Sequence, residues 1–205
     1  MRSESLYVLQ TWPGPCQVIT FMNYHVELTG KSPVEYDSDR FTQLLSQRKR
    51  KDRPGYDFVP VFQEHLGIKL VDIPKFRSMS RFKRYLIKKL KAGEMIQFRF
   101  PHPAYFLHYA LITHYYPRFD SFRVINAQLL TSETPVEYLK FEELTRRFYL
   151  NNKEVGKYSY YNKKENTAEW AAWCISETKI IRTTNKKLMR LKKPAQSEFW
   201  LKAGS

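Results

Sequence analysis

Gln10-Thr11-Trp12-Pro13-Gly14-Pro15-Cys16 leads directly into Gln17-Val-Ile-Thr-Phe-Met-Asn-Tyr-His-Val-Glu-Leu28, and this stretch decides the fold. The Pro-Gly-Pro run cannot lie inside a helix, so it predicts a turn from an extended lead-in into a helix that begins near Cys16 and stops at Gly30. A helix that is apolar around much of its circumference belongs in the centre of a domain. Helical spacing of apolar residues predicts such a buried helix here, at Val18, Ile19, Met22 and Val26.

The cysteine at the start of this predicted helix is a candidate nucleophile. A helix N-terminus favours the thiolate, because the macrodipole and the unpaired backbone N–H groups lie there. Gln10 is kept close by the Pro-Gly-Pro turn, so its amide can point into the same space and bind a developing oxyanion. We therefore expect Cys16 to attack an acyl carbon, with the Gln10 amide and the Cys16 N–H as the oxyanion donors.

His108 and Asn126 are the candidate base and its orienting amide. The segments Met95–Phe100, Leu107–Tyr115 and Ser121–Ala127 are rich in aromatic and β-branched residues, which predicts three consecutive antiparallel strands. A turn near residue 117, midway between the two positions, places their side chains beside each other. We expect His108 to hold the thiolate as an ion pair and then protonate the leaving group. Asn126 orients the imidazole without adding charge.

Three further stretches carry a family resemblance: Leu90-Lys-Ala-Gly-Glu-Met-Ile-Gln-Phe98, Leu107-His-Tyr-Ala-Leu-Ile112 and Phe122-Arg-Val-Ile-Asn126. Together with Gln10-x5-Cys16 they resemble the papain-like cysteine peptidase superfamily, in particular its bacteriocin-processing (double-glycine-peptidase-like) bacterial group, over residues 5–150. The resemblance implies a papain-like α+β fold, in which a central N-terminal helix carries the cysteine and packs on an antiparallel β-sheet with additional helices. It also implies a cysteine peptidase that hydrolyses a peptide or amide bond through an acyl-enzyme.

Departures from the family's pattern leave the reaction open. Pro15 and Gln17 flank the cysteine, and Asn126 stands where this group usually carries Asp followed by Pro. Acyl transfer and deamidation use the same apparatus, so an acyltransferase or deamidase-type effector or toxin is the alternative on this fold. The sequence has no Cys/His spacing typical of zinc and no glycine-rich phosphate loop, so we expect neither a metal nor a cofactor.

Other histidines and a second cysteine compete with these residues. His25 lies along the first predicted helix, and His102 lies between two prolines in a predicted loop. His114 shares a predicted strand face with His108 but lies near the turn, far from Asn126. The second cysteine, Cys174, lies beside two tryptophans in a predicted helix and is expected to be a core residue.

The remaining pattern predicts one strand and three further helices, at 68–71, 78–91, 137–150 and 167–183. The composition becomes polar and basic after Asn151. We predict a thiol-enzyme core over 1–150 and a helical, basic C-terminal extension over 151–205, with the alternative that this extension is integral to the core.

Charge and composition bound the partners and the compartment. The net charge of +15 arises from 35 Lys and Arg against 20 Asp and Glu. This excess favours an acidic partner or nucleic acid beside a protein or peptide substrate. A non-catalytic, basic nucleic-acid-binding protein is therefore the second hypothesis. Two cysteines form no disulfide framework, and the sequence shows neither a signal peptide nor a transmembrane segment. This predicts a cytoplasmic protein, or an effector secreted without a classical signal peptide.

Overall fold

The computed structural model describes residues 7–9, 16–31, 60, 63–64, 66–76, 78–102, 106–126, 135–146 and 175–184. Within these residues the chain forms helices and one antiparallel β-sheet, which confirms the predicted α+β class. The predicted oxyanion donor Gln10 and the competing Cys174 lie outside the described residues.

The first helix, α1, spans Cys16–Thr29 and is buried along most of its length. Gly30 ends it with a backbone φ of 73°, a conformation that glycine adopts without strain, and the Gly30 N–H bonds the Val26 carbonyl at 2.8 Å. The predicted bounds and the predicted burial of this helix are both confirmed. Its buried residues are Val18, Thr20, Phe21, Met22, Asn23, Tyr24, Val26 and Leu28.

Among the described residues, six strands form a single sheet in which every neighbouring pair is antiparallel. They are β1 (Ile68–Asp72), β2 (Met95–His102), β3 (Phe106–Tyr116), β4 (Ser121–Ile125), β5 (Val136–Lys140) and β6 (Lys179–Thr183). Their order across the sheet is β1-β6-β2-β3-β4-β5. The strands predicted between residues 68 and 127 are therefore present, and their consecutive antiparallel pairing is confirmed for β2, β3 and β4.

Helix α2 spans Met79–Lys91 and confirms the amphipathic helix predicted there. Ser78 begins it, because the Ser78 hydroxyl accepts the Arg81 N–H at 3.4 Å. Gly93 follows its last turn with a φ of 73°. Its apolar side chains recur at helical spacing and are fully or almost fully buried: Phe82, Leu86 and Leu90.

The two helices cover opposite faces of the sheet. One cluster joins α2 to the face that carries Ile96, Phe98, Ala110, Phe122 and Ile180. The other joins α1 to the face that carries Met95, Leu111, Ile125, Val136 and Ile181. Alternation along each strand supplies both faces with apolar residues, so the central strands are buried on both sides.

The helix predicted at 137–150 is wrong in its first part, because Val136–Lys140 is strand β5. Helix α3 begins only at Phe141 and extends to Arg146. The spacing of Leu139, Phe141 and Leu144 suits a helix, but β5 pairs along its whole length with β4. Tertiary pairing overrides a short ambiguous apolar pattern in this segment.

The helix predicted at 167–183 is wrong in its last part, because Lys179–Thr183 forms strand β6. Residues 175 and 176 are helical, and residues 167–174 lie outside the described part. This strand lies between β1 and β2, with Ile180 in one core cluster and Ile181 in the other. Part of the 151–205 segment is thus a central strand of the sheet. The boundary predicted at residue 150 stays a prediction, since residues 147–174 lie outside the described part.

Helices of the described residues are all too short or too polar to cross a lipid bilayer.

Candidate active site

The hairpin of β3 and β4 brings His108 and Asn126 together. A short 3-10 turn at Pro117–Phe119 reverses the chain, and β4 begins at Ser121. The imidazole Nε2 of His108 lies 2.9 Å from the side-chain oxygen of Asn126, in a buried position. The predicted turn and the predicted imidazole–amide contact are both confirmed.

The register of this hairpin explains the contact. Leu111 lies opposite Ile125, so Asn126 continues the ladder opposite Ala110 and is a diagonal neighbour of His108. Diagonal side chains on one face of a sheet are within reach of each other when they are long or planar. The imidazole also packs edge-on against the ring of Phe100, with ring centroids 5.4 Å apart.

Glu137 on β5 determines which end of the Asn126 amide faces the imidazole. The Asn126 side-chain NH₂ donates to the Glu137 carboxylate at 2.7 Å. A carboxylate can only accept, so the Asn126 oxygen is directed to His108, and Nε2 must be the nitrogen that donates. In neutral His108 the lone pair therefore lies on Nδ1. The Asn126 N–H also bonds the Pro135 carbonyl at 2.7 Å, which holds the strand end in place.

The Cys16 sulfur lies beside the backbone of β3. The N–H of Tyr109 interacts with the thiol and favours its anion. The Thr20 hydroxyl links the same two segments, since it lies 2.8 Å from the Cys16 carbonyl and 3.4 Å from the Tyr109 carbonyl. The Tyr109 amide nitrogen is covalently bonded to the carbonyl carbon of His108. The sulfur is thus placed next to the peptide that joins the histidine to its neighbour.

Burial raises the pKa of the Cys16 thiol and is the largest influence on it. The backbone N–H groups of Tyr109, Gln17 and Cys16 and the charge of Arg99 act in the opposite direction. The backbone N–H groups at the start of α1 stabilise the thiolate, as expected of a helix N-terminus, but desolvation has the larger effect on the pKa. The expectation of a thiol with a lowered pKa is therefore wrong for this arrangement.

Arg99 is the cation whose charge favours the Cys16 thiolate. It was not identified from the sequence. Its side chain lies on β2 opposite Tyr109 and packs over the Tyr109 ring, with 5.2 Å between the guanidinium carbon and the ring centroid. It also forms an ion pair with Glu177 at 2.7 Å. A basic residue between two phenylalanines, Phe98 and Phe100, was the available signal, but its approach to Cys16 depends on tertiary packing.

A second polar pair lies in the core beside the cysteine. Gln97 on β2 is fully buried, and its side-chain oxygen accepts from the Gln17 amide at 3.4 Å. The contact satisfies the oxygen of this buried amide, which would cost stability if it were left unpaired. This contact ties the first turn of α1 to β2, next to the residue that carries the thiol.

The lead-in to Gln10 is fastened to α1 by Asn23. The Asn23 side-chain oxygen accepts the Val8 N–H at 2.8 Å, and its NH₂ donates to the Val8 carbonyl at 3.1 Å. The preceding Tyr7 hydroxyl contacts both Glu27 on α1 and Arg123 on β4. The chain two residues before Gln10 is therefore held on α1, although Gln10 itself is not among the described residues.

The competing histidines lie elsewhere in the described structure. A β-bulge between Ile112 and His114 reverses the alternation along β3, so Tyr115 packs in the α2-side cluster and His114 faces the opposite side from His108. The predicted shared face is thus wrong. His25 lies on α1, where its carbonyl accepts the Thr29 hydroxyl. The described part of the chain holds no group of three His, Cys, Asp or Glu side chains that could bind a metal ion.

Comparison of the chain with protein-family models gives no match, and comparison with curated proteins gives none either. The functional interpretation consequently depends on the geometry of the described residues.

Proposed function

We propose that this protein is a papain-like cysteine peptidase, a thiol-dependent hydrolase of a peptide or amide bond in a protein or peptide substrate. The observation that carries the proposal is the chain Glu137–Asn126–His108, at 2.7 Å and 2.9 Å, with the Cys16 sulfur at the peptide that follows His108. An oriented imidazole and a thiol at a helix N-terminus are the two groups that acyl-enzyme chemistry uses.

His108 lies on the face of the sheet that α2 covers, since it packs against Phe100, whereas α1, which carries Cys16, covers the other face. Backbone N–H groups of a strand point within the plane of the sheet, so a sulfur at the Tyr109 N–H lies at the edge of β3. The described pairing of β3 with β4 begins two residues later, at Leu111. The proposal requires the His108 imidazole and the Cys16 sulfur to meet around this side of β3, where Tyr109 has no described pairing with β4.

The raised pKa of the Cys16 thiol favours general-base activation over a preformed ion pair. Nδ1 of neutral His108 takes the thiol proton as the sulfur attacks the carbonyl carbon, which yields an imidazolium and a tetrahedral oxyanion. The oxyanion collapses, the C–N bond breaks, and Nδ1–H protonates the departing amine. A water molecule deprotonated by His108 then hydrolyses the thioester and regenerates the thiol.

The imidazolium formed in this sequence is stabilised by the Asn126 oxygen and, one side chain further on, by the Glu137 carboxylate. We assign the oxyanion to the Cys16 N–H and the Gln10 amide, with each donor contributing about 10²–10³ in rate. A reducing location such as the cytoplasm would keep the thiol available.

A trapping experiment tests the proposal. Incubation with a peptide-thioester or activated-ester library should give an acyl adduct that intact-mass and peptide mass spectrometry locate on Cys16. Cys16→Ala should abolish both adduct and turnover, and His108→Ala should slow adduct formation. The matched control Cys174→Ala should retain both. Turnover that survives Cys16→Ala, or an adduct that forms equally on Cys174, contradicts the proposal.

The same experiment separates hydrolysis from the alternative acyl transfer. A primary amine added to the trapped adduct competes with water for the thioester. If the amine captures most of the acyl group at millimolar concentration, the protein is an acyltransferase on this site. Release to water alone supports the peptidase.

A further inference from the structure

Helix α2 carries a stripe of cations that the proposed chemistry does not use. The helix contains six basic residues and no acidic one. Two of them, Lys83 and Lys89, are half-buried and form ion pairs with Asp120 at 2.7 Å and Glu94 at 2.9 Å. The other four are exposed and form no ion pair with any described residue; we call Arg81, Arg84, Lys88 and Lys91 the α2 stripe.

The α2 stripe is geometrically regular. Its members lie at offsets of three, seven and ten residues from Arg81. At 100° and 1.5 Å per residue they fall within an arc of about 80° and span about 15 Å. The stripe is therefore one row of positive charge that runs along the outer side of the helix.

Helix stability does not explain this row. Lys88 and Lys91 lie in the last turn, where cations interact favourably with the helix dipole. Arg81 and Arg84 lie in the first half, where the dipole opposes a cation. The pairs Arg81–Arg84, Arg84–Lys88 and Lys88–Lys91 are like charges three or four residues apart, which destabilises a helix. A row that weakens its own helix is better explained by a partner that neutralises it.

The chemistry of the helix limits what that partner can be. The apolar residues of α2 are buried or partly buried against the core, so the helix has no fully exposed apolar side to insert into a lipid bilayer. The interaction available to the stripe is electrostatic and repeated at regular intervals. A phosphodiester backbone carries negative charge at regular intervals, whereas an acidic protein surface does so only by chance.

We propose that the α2 stripe binds the phosphate backbone of a nucleic acid without sequence preference. Arg81, Arg84, Lys88 and Lys91 each contact a phosphate, and the guanidinium groups supply bidentate hydrogen bonds. Because α2 and α1 cover opposite faces of the sheet, the bound nucleic acid leaves the thiol of Cys16 uncovered. The stripe is on the exposed side of α2, so the bound nucleic acid contacts neither Cys16 nor the buried His108.

Salt dependence measures the contacts directly. Fluorescence anisotropy with a labelled 20-base-pair DNA duplex gives the binding constant between 50 and 200 mM salt. Each neutralised phosphate contributes about −0.9 to the slope of log K against log[salt]. Arg84→Gln/Lys88→Gln should therefore reduce the magnitude of the slope by about 1.8.

A matched pair of variants separates the stripe from overall charge. Lys31→Gln/Lys69→Gln also removes two positive charges, but from exposed positions outside α2. This control pair should change the slope by less than about 0.5, well under one phosphate contact. Thermal unfolding supplies a second measurement. The stripe variant should unfold at a temperature equal to or above that of the unaltered protein, because like-charge repulsion is relieved.

Three results would overturn the proposal. One is equal loss of affinity in the two variant pairs, which would assign binding to net charge. Another is no binding of the duplex at 50 mM salt. The last is tighter binding of polyglutamate or of vesicles containing anionic lipid than of DNA, which would assign the stripe to an acidic protein or a membrane.

Discussion

Glu137 orients the side-chain amide of Asn126. The two ends of an asparagine amide are similar in size, so the imidazole alone does not determine which end it meets. The Glu137 carboxylate accepts at 2.7 Å and thereby turns the Asn126 oxygen towards Nε2 of His108. It acts through Asn126 and is a positioning residue in the proposed reaction.

Replacing the Glu137 carboxylate should allow His108 to adopt either tautomer. In Glu137→Gln the new amide can donate as well as accept, so Asn126 can rotate and Nε2 of His108 no longer has to carry the proton. We expect the rate of Cys16 acylation to fall about 10- to 100-fold, as for other groups that orient an imidazole from behind. Nitrogen-15 NMR of His108 should show a shift from the Nε2–H form towards a mixture.

Glu142→Gln is the matched control, since Glu142 is an exposed carboxylate in the first turn of α3. It should leave both the rate and the NMR signature unchanged. A Glu137→Gln protein with an unchanged tautomer and an unchanged rate would show that Asn126 is oriented without the carboxylate.

The ionisation of Cys16 is a balance between burial and nearby positive charge. Burial raises its pKa above the usual range of a thiol, and Arg99 partly offsets this. The folded state therefore keeps the thiol proton longer than the unfolded state. The stability that this difference contributes is present below the ordinary thiol pKa and is lost as the pH rises through the folded-state value.

Two substitutions should move this balance in opposite directions. Arg99→Gln removes a cation that favours the thiolate, so the pH profile of Cys16 alkylation by iodoacetamide should shift to higher pH. Glu177→Gln removes the anion paired with Arg99 at 2.7 Å and should shift the profile to lower pH. Peptide mass spectrometry of Cys16 over a range of pH measures both. Shifts in the same direction would argue against an electrostatic role for Arg99.

Helix α1 organises the site because it contacts two separate parts of the chain. Its first turn meets the backbone of β3 through Thr20, and its middle holds the lead-in through Asn23. Both contacts pair polar groups inside an apolar environment, where leaving them unpaired is costly. The helix thus positions the cysteine on one side and the chain leading to Gln10 on the other.

Asn23→Leu should uncouple the lead-in from the helix. The Val8 N–H and carbonyl both lose their partner, which costs about 1–3 kcal/mol for each buried polar group left unsatisfied. Urea unfolding measures the loss of stability, and acylation of Cys16 should slow because the chain before Gln10 is released.

Thr29→Val is the comparison on the same helix. It removes hydroxyl contacts at the far end of α1, to the His25 carbonyl and to Lys31. It should lower stability modestly and leave Cys16 acylation unchanged. If both variants slowed acylation in proportion to their loss of stability, the lead-in would have no special role.

At the scale of the whole molecule, β6 joins β1 to the rest of the sheet. It pairs with β1 on one side and β2 on the other, and its two isoleucines enter both core clusters. β1 has no other neighbour in the described sheet. Removal of β6 would expose both clusters and leave β1 without a ladder.

A fragment of residues 1–150 should therefore fail to fold, although it contains all four candidate catalytic residues. Circular dichroism and amide hydrogen exchange should show an unfolded or loosely packed chain. A fragment of residues 1–186 retains every described element and should keep native exchange protection. A folded 1–150 fragment with reactive Cys16 would instead establish the predicted boundary at residue 150.

Local chemistry explains what could be predicted. The Pro-Gly-Pro turn and Gly30 bound α1, and a turn near Pro117 makes the contact of His108 with Asn126 follow from spacing alone. Short-range contacts such as these are set by turn geometry and by the helical or alternating period of apolar residues. These signals are contained within a few tens of neighbouring residues.

Amino-acid order alone therefore determined the buried helix, the hairpin and the imidazole–amide pair. Only the tertiary structure decided that Lys179–Thr183 is a strand between β1 and β2, that Glu137 meets Asn126, and that the Cys16 sulfur reaches the Tyr109 N–H. A five-residue apolar segment suits a helix or a strand equally well. The free energy that chooses between them comes from burial against residues distant in the chain, offset by the entropy of closing the intervening loop.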